Sequence, residues 1–295
     1  MGSVLVLGNA GADLVMAVTR LPLPGETRMA TDVSRAPGGK GLNQAVVAAR
    51  SGAETRFMAA IGDDPDGRLI AEKLADEPFV ARLLIRLPHP TDFSVVMVSD
   101  DAENSIVTAG VCADALDETS AVAFAGSAAA GDVLLLQGNL SLSVTLAAAK
   151  AGALKRALVV LNPAPLRWPV ADVLAHCTAV VANQIEAAEI TGLAGPARAA
   201  AALRAFGPRL AVVTLGAVGC VYEDESGTHA VPPLPARAVD TTGAGDTFCG
   251  MLAAGLARGW SAARCIDAAQ RAAAITVSRP GAYAALPRAE ELPRD

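Results

Sequence analysis

The sequence runs Asp240-Thr-Thr-Gly-Ala-Gly-Asp-Thr-Phe248 and then continues into the apolar run Cys249–Ala257. Small residues just before an apolar run of helical character predict a glycine-rich turn at which a helix begins. Gly243, Ala244 and Gly245 would leave a row of backbone N–H groups unobstructed there, and the helix dipole adds partial positive charge. This stretch therefore predicts an anion hole at a helix start.

Asp246 falls in the first turn of that helix and would face whatever the anion hole holds. If the anion is a phosphoryl group in transfer, the carboxylate can take the proton from the attacking hydroxyl while the amides receive the developing charge. The alternative is a carboxylate that the helix dipole favours at this position, with no chemistry.

A second motif, Pro37-Gly-Gly-Lys-Gly-Leu-Asn43, opens an amphipathic helix near the other end of the chain. Its paired glycines permit close approach of the backbone to a ligand, and Lys40 and Asn43 add a cation and an amide within one helical turn. The phosphate-loop pattern GxxxxGK[ST] is absent, because Gly41 follows the lysine. A turn with a helix cap is the alternative interpretation.

Between and around these motifs, short β-rich apolar runs alternate with alanine-rich helical stretches, which indicates βα units around a parallel sheet. The predicted strands are Val4–Leu7, Thr55–Ile61, Val133–Gln137, Ala157–Asn162, Val180–Ala182 and Leu210–Thr214. The predicted helices are Leu42–Ser51, Arg68–Ala75, Val144–Ala151, Gln184–Thr191, Ala197–Phe206, Gly245–Arg258 and Ala262–Ser278. The predicted fold class is α/β.

Two segments break the alternation because they predict strands with no helix between them. One comprises Val15–Val18, a Pro-Gly turn and Thr27–Ser34; the other comprises Val80–Arg86 and Thr91–Val98. We interpret them as a small β-lid, covering about residues 15–36 and 80–108, inserted into a single domain that spans residues 1–295.

The composition excludes several classes of protein. The chain has 24 Lys and Arg against 30 Asp and Glu, with no basic cluster, which argues against binding of nucleic acid. Although the mean hydropathy is +0.39, we find no run of 18 apolar residues and no basic leader before an apolar core. We therefore expect a cytoplasmic protein without a membrane partner.

The five cysteines and three histidines are scattered along the chain. Their spacing matches neither a zinc pattern nor a disulfide framework, and we expect reduced thiols in the core.

Three smaller signals leave two interpretations each. Asp13 follows a predicted strand end, where ligands of α/β sheets bind, although a surface turn is equally ordinary. Asn183-Gln-Ile-Glu186 opens a helix and fits a capping box as well as a binding site. Thr214-Leu-Gly-Ala-Val-Gly219 suits a loop facing a nucleotide or a plain turn.

Together, these segments resemble the ribokinase-like (PfkB) family of carbohydrate and nucleoside kinases, essentially from end to end. The resemblance is carried by LGNAGADLV, PLPGET, APGGKGLNQAVVAARSGA, IGDDPDG, NPAP at Asn162–Pro165, ANQIEAAEITG, VTLGAVG and VDTTGAGDTFCG. It implies a three-layer αβα sandwich around a mainly parallel sheet, with a small inserted β-lid over the substrate. It also implies an ATP-dependent kinase that phosphorylates the primary hydroxyl of a small sugar, with ribose as the first candidate.

The resemblance also assigns roles to residues on the sugar side. Asp246 is implied as the catalytic base, with the anion hole formed by Gly243, Ala244 and Gly245. The positions implied to hold sugar hydroxyls are Asp13, Gly39, Lys40 and Asn43. Asn139 stands where such kinases usually carry a glutamate, and an uncharged amide favours a different pattern of hydroxyls.

On the nucleotide side, Asn183 and Glu186 match an Asn-x-x-Glu motif that organises Mg²⁺ and phosphate through water. The positions implied beside the ATP triphosphate and ribose are Thr214, Gly216 and Gly219. A loop for a monovalent cation, K⁺ by resemblance, is implied at Asp240, Thr242, Thr276, Arg279 and Gly281.

Two other functions stay open at this point. One is a nucleoside kinase of the same family, acting on adenosine or pseudouridine, although aromatic residues for stacking a base make up only 3% of the chain. The other is a catalytically silent sugar-binding regulator. In either case the exposed edge of a lid sheet must be covered, and the resemblance implies a homodimer formed through the lid.

Overall fold

The computed structural model describes residues 1–100 and 104–293, so residues 101–103 of the predicted lid and 294–295 of the predicted domain lie outside the described residues. Its strands are β1 (Val4–Leu7), β2 (Gly11–Val18), β3 (Asp32–Gly38), β4 (Thr55–Gly62), β5 (Ala81–Leu87), β6 (Asp92–Ser99), β7 (Asn104–Ala109), β8 (Val133–Gln137), β9 (Leu158–Asn162), β10 (Ala179–Asn183), β11 (Leu210–Thr214), β12 (Cys220–Asp224) and β13 (Gly227–Val231). Its helices are α1 (Lys40–Arg50), α2 (Pro65–Lys73), α3 (Val111–Ala115), α4 (Glu118–Ala125), α5 (Leu142–Leu154), α6 (Ala171–Leu174), α7 (Gln184–Thr191), α8 (Pro196–Ala205), α9 (Ala244–Ala257) and α10 (Ala262–Val277).

The larger sheet has nine strands in the order β13-β12-β11-β10-β9-β8-β1-β4-β5. The seven strands from β11 to β5 are parallel, and the hairpin β12–β13 adds two antiparallel strands at one edge. The predicted α/β class with a mainly parallel sheet is confirmed. The hairpin was not predicted, because only the first three residues of β12 are buried and β13 has no fully buried residue.

Helices cover both faces of this sheet because its central strands are apolar on both sides. In β1, Val4 and Val6 belong to a core cluster that includes residues of α1, α9 and α10. Leu5 and Leu7 point the other way, into a cluster that includes residues of α4, α5 and α8. Two cores on one sheet make the three-layer αβα sandwich that the family resemblance implied.

The smaller sheet has four strands in the order β3-β2-β6-β7. Strands β2 and β6 run parallel, while β3 and β7 pair antiparallel at the two edges. Arg35 of β3 forms an ion pair with Asp66 of α2, the helix that follows β4 of the larger sheet. We call this four-stranded sheet the lid.

The strand predicted at Val80–Arg86 was wrongly placed in the lid. The structure has Ala81–Leu87 as β5, which pairs in parallel with β4 at the edge of the large sheet. The strand predicted at Thr27–Ser34 begins only at Asp32 and runs on to Gly38. An edge strand of a parallel sheet carries exposed residues, so its pattern is indistinguishable from that of a lid strand.

Asp64 fixes the point where the chain returns to the lid, just before β6. Its carboxylate accepts hydrogen bonds from the backbone N–H of Thr91 at 2.7 Å, the Thr91 hydroxyl at 2.7 Å and the Gly67 N–H at 2.8 Å. The Thr91 hydroxyl in turn accepts from the N–H of Gly62, the last residue of β4. The start of β6 is thereby held against the carboxyl end of the parallel sheet, where ligands of such sheets bind.

Within the described residues, no helix is both long and apolar enough to cross a membrane. All five cysteines are free and buried. Burial raises the pKa of the Cys112 and Cys220 thiols to about 11, which keeps them protonated at neutral pH. The predicted core thiols are therefore confirmed.

Candidate active site

Helix α9 begins with an open N-terminus. Gly243 precedes it with φ of 80°, a left-handed conformation that favours glycine, and no side chain of the described residues caps the helix there. Gly245 is exposed, and a Cβ added to it would meet no atom within 4 Å in the described part of the chain. The Ala244 N–H donates to the Thr241 carbonyl at 3.3 Å, and the open space at Gly245 leaves room for an anion beside the first turn of the helix.

Asp246 in this first turn is buried, with 8% of its side chain exposed. Three side chains of α1 surround its carboxylate: Gln44 Nε2 donates to Oδ1 at 3.1 Å, Asn43 Nδ2 lies 3.4 Å from Oδ2, and Lys40 Nζ lies 3.9 Å from Oδ1. The Asp246 carboxylate raises the pKa of Lys40, which burial acts to lower. The motif that opens α1 and the motif that opens α9 thus meet at the Asp246 carboxylate.

The two helices can approach this closely because of Gly250, whose added Cβ would overlap the backbone oxygen of Gln44. At the start of α1, Gly39 has φ of 101°, and a Cβ on Gly41 would overlap the backbone of Asn9. The Asn9 side chain accepts a hydrogen bond from the Gly41 N–H at 3.2 Å. Asn9 therefore positions α1, a role that the sequence analysis missed.

Asp13 lies within the lid strand β2 and not in a turn after β1, as the sequence suggested. Burial raises the pKa of its carboxyl to about 6, and the charge of Asp246 adds to the rise, although a hydrogen bond from Ser94 opposes it. The Ser94 hydroxyl lies 3.0 Å from that of Thr108 on the next strand. A Cβ on Gly38 would overlap the Asp13 carboxylate, so a side chain at position 38 would displace that carboxylate.

Two amide oxygens, Asn43 Oδ1 and Asn139 Oδ1, are buried without a hydrogen-bond partner among residues 1–100 and 104–293, in addition to Gln137 Oε1 beside Gln44. The backbone of Asn139 is fixed by Arg167, whose Nη1 donates to its carbonyl at 2.7 Å. Arg167 is held in turn by a two-bond ion pair with Asp114. Unsatisfied buried acceptors are costly, and both oxygens are suited to accept hydroxyl groups of a ligand.

On the other side of the site, Asn183 and Thr214 end the neighbouring strands β10 and β11 and are register partners. Asn183 and Glu186 form a complete capping box: each side chain accepts the other residue's backbone N–H at 2.8 Å. Gly216 and Gly219 adopt φ of 57° and 100° in the turn after β11. The structure thus brings the predicted nucleotide residues to one edge of the sheet.

The five residues of the predicted monovalent-cation loop are brought together only in part. Asp240 accepts hydrogen bonds from the Thr242 backbone N–H at 2.9 Å, the Thr242 hydroxyl at 2.7 Å and the Gly281 N–H at 2.8 Å. Burial acts to raise the pKa of Asp240, but these hydrogen bonds outweigh it and lower the pKa. The three residues therefore form one hydrogen-bonded cluster around the Asp240 carboxylate.

The side chains of Thr276 and Arg279 point elsewhere. The Thr276 hydroxyl bonds to that of Thr247 at 2.8 Å inside the α9–α10 packing, and the Arg279 guanidinium pairs with Glu291 at 2.9 Å. For these two positions only backbone carbonyls could face a cation. Among the described residues no group of three or more His, Cys, Asp or Glu side chains is placed to hold a metal ion by itself.

The comparisons with known proteins agree with this geometry. A family model described as pfkB family carbohydrate kinase matches residues 1–289. The chain is 32% identical to a ribokinase of Haemophilus influenzae over 292 residues, which cover 97% of this chain and 95% of that protein.

Solved structures match over the same extent. The crystal structure of ribokinase from Thermotoga maritima superposes with a TM-score of 0.89 at 28% identity and covers 99% of this chain and 98% of that chain. The structure of Arabidopsis thaliana ribokinase complexed with ribose and ATP gives 0.87 at 30% identity, with 99% and 97% covered.

Proposed function

The chain belongs to the pfkB family of carbohydrate kinases, and we propose that it transfers the γ-phosphate of ATP to the primary hydroxyl of ribose. The observation that carries this proposal is the buried Asp246 carboxylate beside the open start of α9. A base and an anion hole in the same helical turn are the two groups that phosphoryl transfer to a hydroxyl needs.

In the proposed reaction, the primary hydroxyl of the sugar lies against Asp246, which takes its proton as the oxygen attacks the γ-phosphate. The bond between the γ-phosphate and ADP breaks, and the N–H groups at the start of α9 receive the charge on the phosphate oxygens. Lys40, next to Asp246, donates to the sugar and balances negative charge in a partly buried site.

The remaining sugar hydroxyls are proposed to bind Asp13, Asn43 and Asn139. An ionised carboxylate can accept two adjacent hydroxyls, and the two unpartnered amide oxygens supply further acceptors. Gly39 leaves the backbone open for close approach at this point.

ATP is proposed to bind at the carboxyl end of β10 and β11, with Thr214, Gly216 and Gly219 beside its phosphates and ribose. Mg²⁺ fits this site as an ion bound mainly by phosphate and water, because Glu186 supplies a carboxylate and Asn183 holds it in place. When bound, the ion neutralises charge on the phosphates.

A monovalent cation, K⁺ by preference, fits the cluster formed by Asp240, Thr242 and Gly281. Backbone carbonyls of the segment that contains Thr276 and Arg279 would complete its ligands. Comparing turnover in K⁺ with turnover in Na⁺ and in a bulky organic cation at equal ionic strength tests this assignment. Equal rates in all three would remove it.

A panel of ribose, other pentoses, ketohexoses, adenosine and pseudouridine, each with ATP and read by ADP release, tests the substrate. We expect the largest kcat/KM with ribose. In the lid, Phe93 neighbours Ser94 along β6 and so points away from Asp13, which leaves no lid aromatic of the described residues on that side to stack a base. Release of ADP that depends on any sugar would exclude a silent regulator.

Asp246→Asn tests the base. Because the amide keeps the shape but cannot take a proton, we expect kcat to fall by at least about 10²-fold while ATP still binds. Turnover and ATP binding by calorimetry would be measured on the same preparation. Near-normal turnover would contradict the assignment.

We also propose a homodimer formed through the lid. The face of the lid turned away from Asp13 exposes Val33, Phe93 and Val107, and β3 and β7 leave two sheet edges open. Light scattering at micromolar concentration is expected to give twice the chain mass, and Val107→Lys to shift it toward the monomer. A monomeric mass of the unchanged protein would refute the dimer.

The cytoplasm is the proposed location. ATP is the phosphate donor, and the five free thiols suit a reducing compartment. Fractionation of cells that express the chain at its natural level would test this.

A further inference from the structure

Gln44 contacts Asp246 more closely than either neighbour on α1 that the sequence had identified. It is fully buried, and its Nε2 donates one hydrogen to Asp246 Oδ1 and the other to Asn162 Oδ1, both at 3.1 Å. Lys40, by comparison, is 3.9 Å from the same carboxylate oxygen and 37% exposed. Gln44 is therefore the neutral donor that holds Oδ1.

The backbone of β10 fixes which end of the Gln44 amide faces the carboxylate. Asn162 Nδ2 donates to the carbonyl oxygen of Val181 at 2.9 Å, and a carbonyl can only accept. Asn162 must then present Oδ1 to Gln44, so Gln44 must present its NH₂ group. Its own oxygen accepts from Gln137 Nε2 at 2.9 Å, which extends the chain of amides to Gln137, whose Oε1 has no partner among the described residues.

We infer that Gln44 is a positioning residue for the phosphoryl transfer. By occupying Oδ1 it orients the Asp246 carboxylate so that Oδ2, where Asn43 Nδ2 lies at the longer distance of 3.4 Å, receives the proton of the sugar hydroxyl. The proton passes from the hydroxyl oxygen to Oδ2 as the new O–P bond forms and the bond to ADP breaks. This inference rests on the proposed role of Asp246.

Gln44→Met keeps the length of the side chain and removes the donor. We expect kcat to fall about 10- to 10²-fold because the carboxylate loses its orientation, while the KM values for ribose and ATP change by less than about 3-fold. Thr145→Val is the matched control, since it removes a buried hydrogen bond of α5, from the Thr145 hydroxyl to the Ser141 carbonyl. The control should lower the melting temperature and leave kcat unchanged.

Gln44→Glu is a second variant of the same size. When ionised, the introduced carboxylate cannot donate a hydrogen bond and repels Asp246, whereas its protonated form can donate to Asp246 Oδ1. The other charged or titratable groups nearby are Lys40, Asp13, Cys249 and Glu186. The rate of this variant relative to the parent should therefore rise as the pH falls from about 8 to about 6, where a buried carboxyl pair takes up a proton. A ratio that does not change with pH would overturn the inference.

The double variant with Asp246→Asn separates the two claims. If Gln44 acts through Asp246, Gln44→Met should have almost no further effect on kcat in the Asp246→Asn background. Full additivity, or a near-normal kcat of Gln44→Met alone beside an inactive Asp246→Asn, overturns the positioning role only. Near-normal turnover of Asp246→Asn overturns the proposed function itself.

Discussion

Two helix starts at the site are built in opposite ways. Helix α7 opens with a complete capping box, in which Asn183 and Glu186 each satisfy a backbone N–H of the other. Helix α9 opens on Gly243, with no side-chain cap in the described part of the chain and with space in front of Gly245. A capped start satisfies its own donors and supports the fold, whereas an open start keeps its donors for a ligand.

Gly245→Ala is the most direct test of whether the open start of α9 binds a ligand. The added methyl enters the space in front of the α9 donors, so we expect kcat/KM to fall about 10²-fold, the scale of a lost oxyanion donor. Because alanine favours a helix over glycine, the melting temperature should stay the same or rise. Kinetics and thermal melting on one preparation would show whether kcat/KM falls while the melting temperature stays the same or rises.

Gly195→Ala is the control, since Gly195 starts α8, away from the site, and its added Cβ meets only the Arg198 side chain at 3.9 Å. Its activity should be unchanged. If Gly245→Ala kept full activity, the open start of α9 would not be the anion hole.

Lys40 interacts electrostatically with acidic residues at the starts of both α9 and α7. The charge of Asp246 and, to a smaller degree, that of Glu186 raise the pKa of its ammonium group. Lys40→Ala should raise the KM for ribose at least about tenfold, since a hydrogen bond from a charged group contributes ~1.5–3 kcal/mol. The exposed Lys150 of α5 gives the control, Lys150→Ala. An unchanged KM with a lowered kcat would show that Lys40 serves the phosphate rather than the sugar.

The pH dependence of sugar binding should report on Asp13. Burial raises the pKa of this carboxyl to about 6, so below that pH the group is protonated and loses its capacity to accept two hydroxyls. The KM for ribose should therefore rise several-fold as the pH falls through about 6. In Asp13→Asn the KM should be higher at all pH values and lack this inflection; retention of the inflection would assign it to another group.

The smallest effect is expected at the capped start. Asn183→Ala removes the side-chain acceptor for the Glu186 N–H and should lower stability by ~1 kcal/mol, seen as a drop of about 2–4 °C in melting temperature. Asn183→Asp keeps the cap and should restore the melting temperature. A loss of stability in both variants would mean that the amide itself, and not the cap, is needed.

The sequence predicted most of the fold because buried parallel strands and amphipathic helices have distinct periodicities. The fold class and the kinase family are confirmed, while the segment Val80–Arg86 was assigned to the wrong sheet. The sheet that a strand joins depends on pairing with residues far away in sequence, and one exposed strand resembles another in its pattern.

The candidate site shows a similar division. The glycine motifs predicted the starts of α1 and α9, because glycine is favoured where a Cβ would block a ligand or a neighbouring segment. Gln44 was missed, although positions 40, 43 and 44 share one helix face, and that spacing could have identified it. Ser94 and Asn9 gave no signal, because their roles depend on which strands become neighbours.

The contact between Asn43 and Asp246 joins positions 203 residues apart in sequence. Because α9 and α10 are among the last elements to leave the ribosome, the face of the sheet that they help to cover stays open until synthesis is nearly complete. Chains truncated before Asp240 would lack both Asp246 and this covering layer, so we expect them neither to fold stably nor to transfer phosphate.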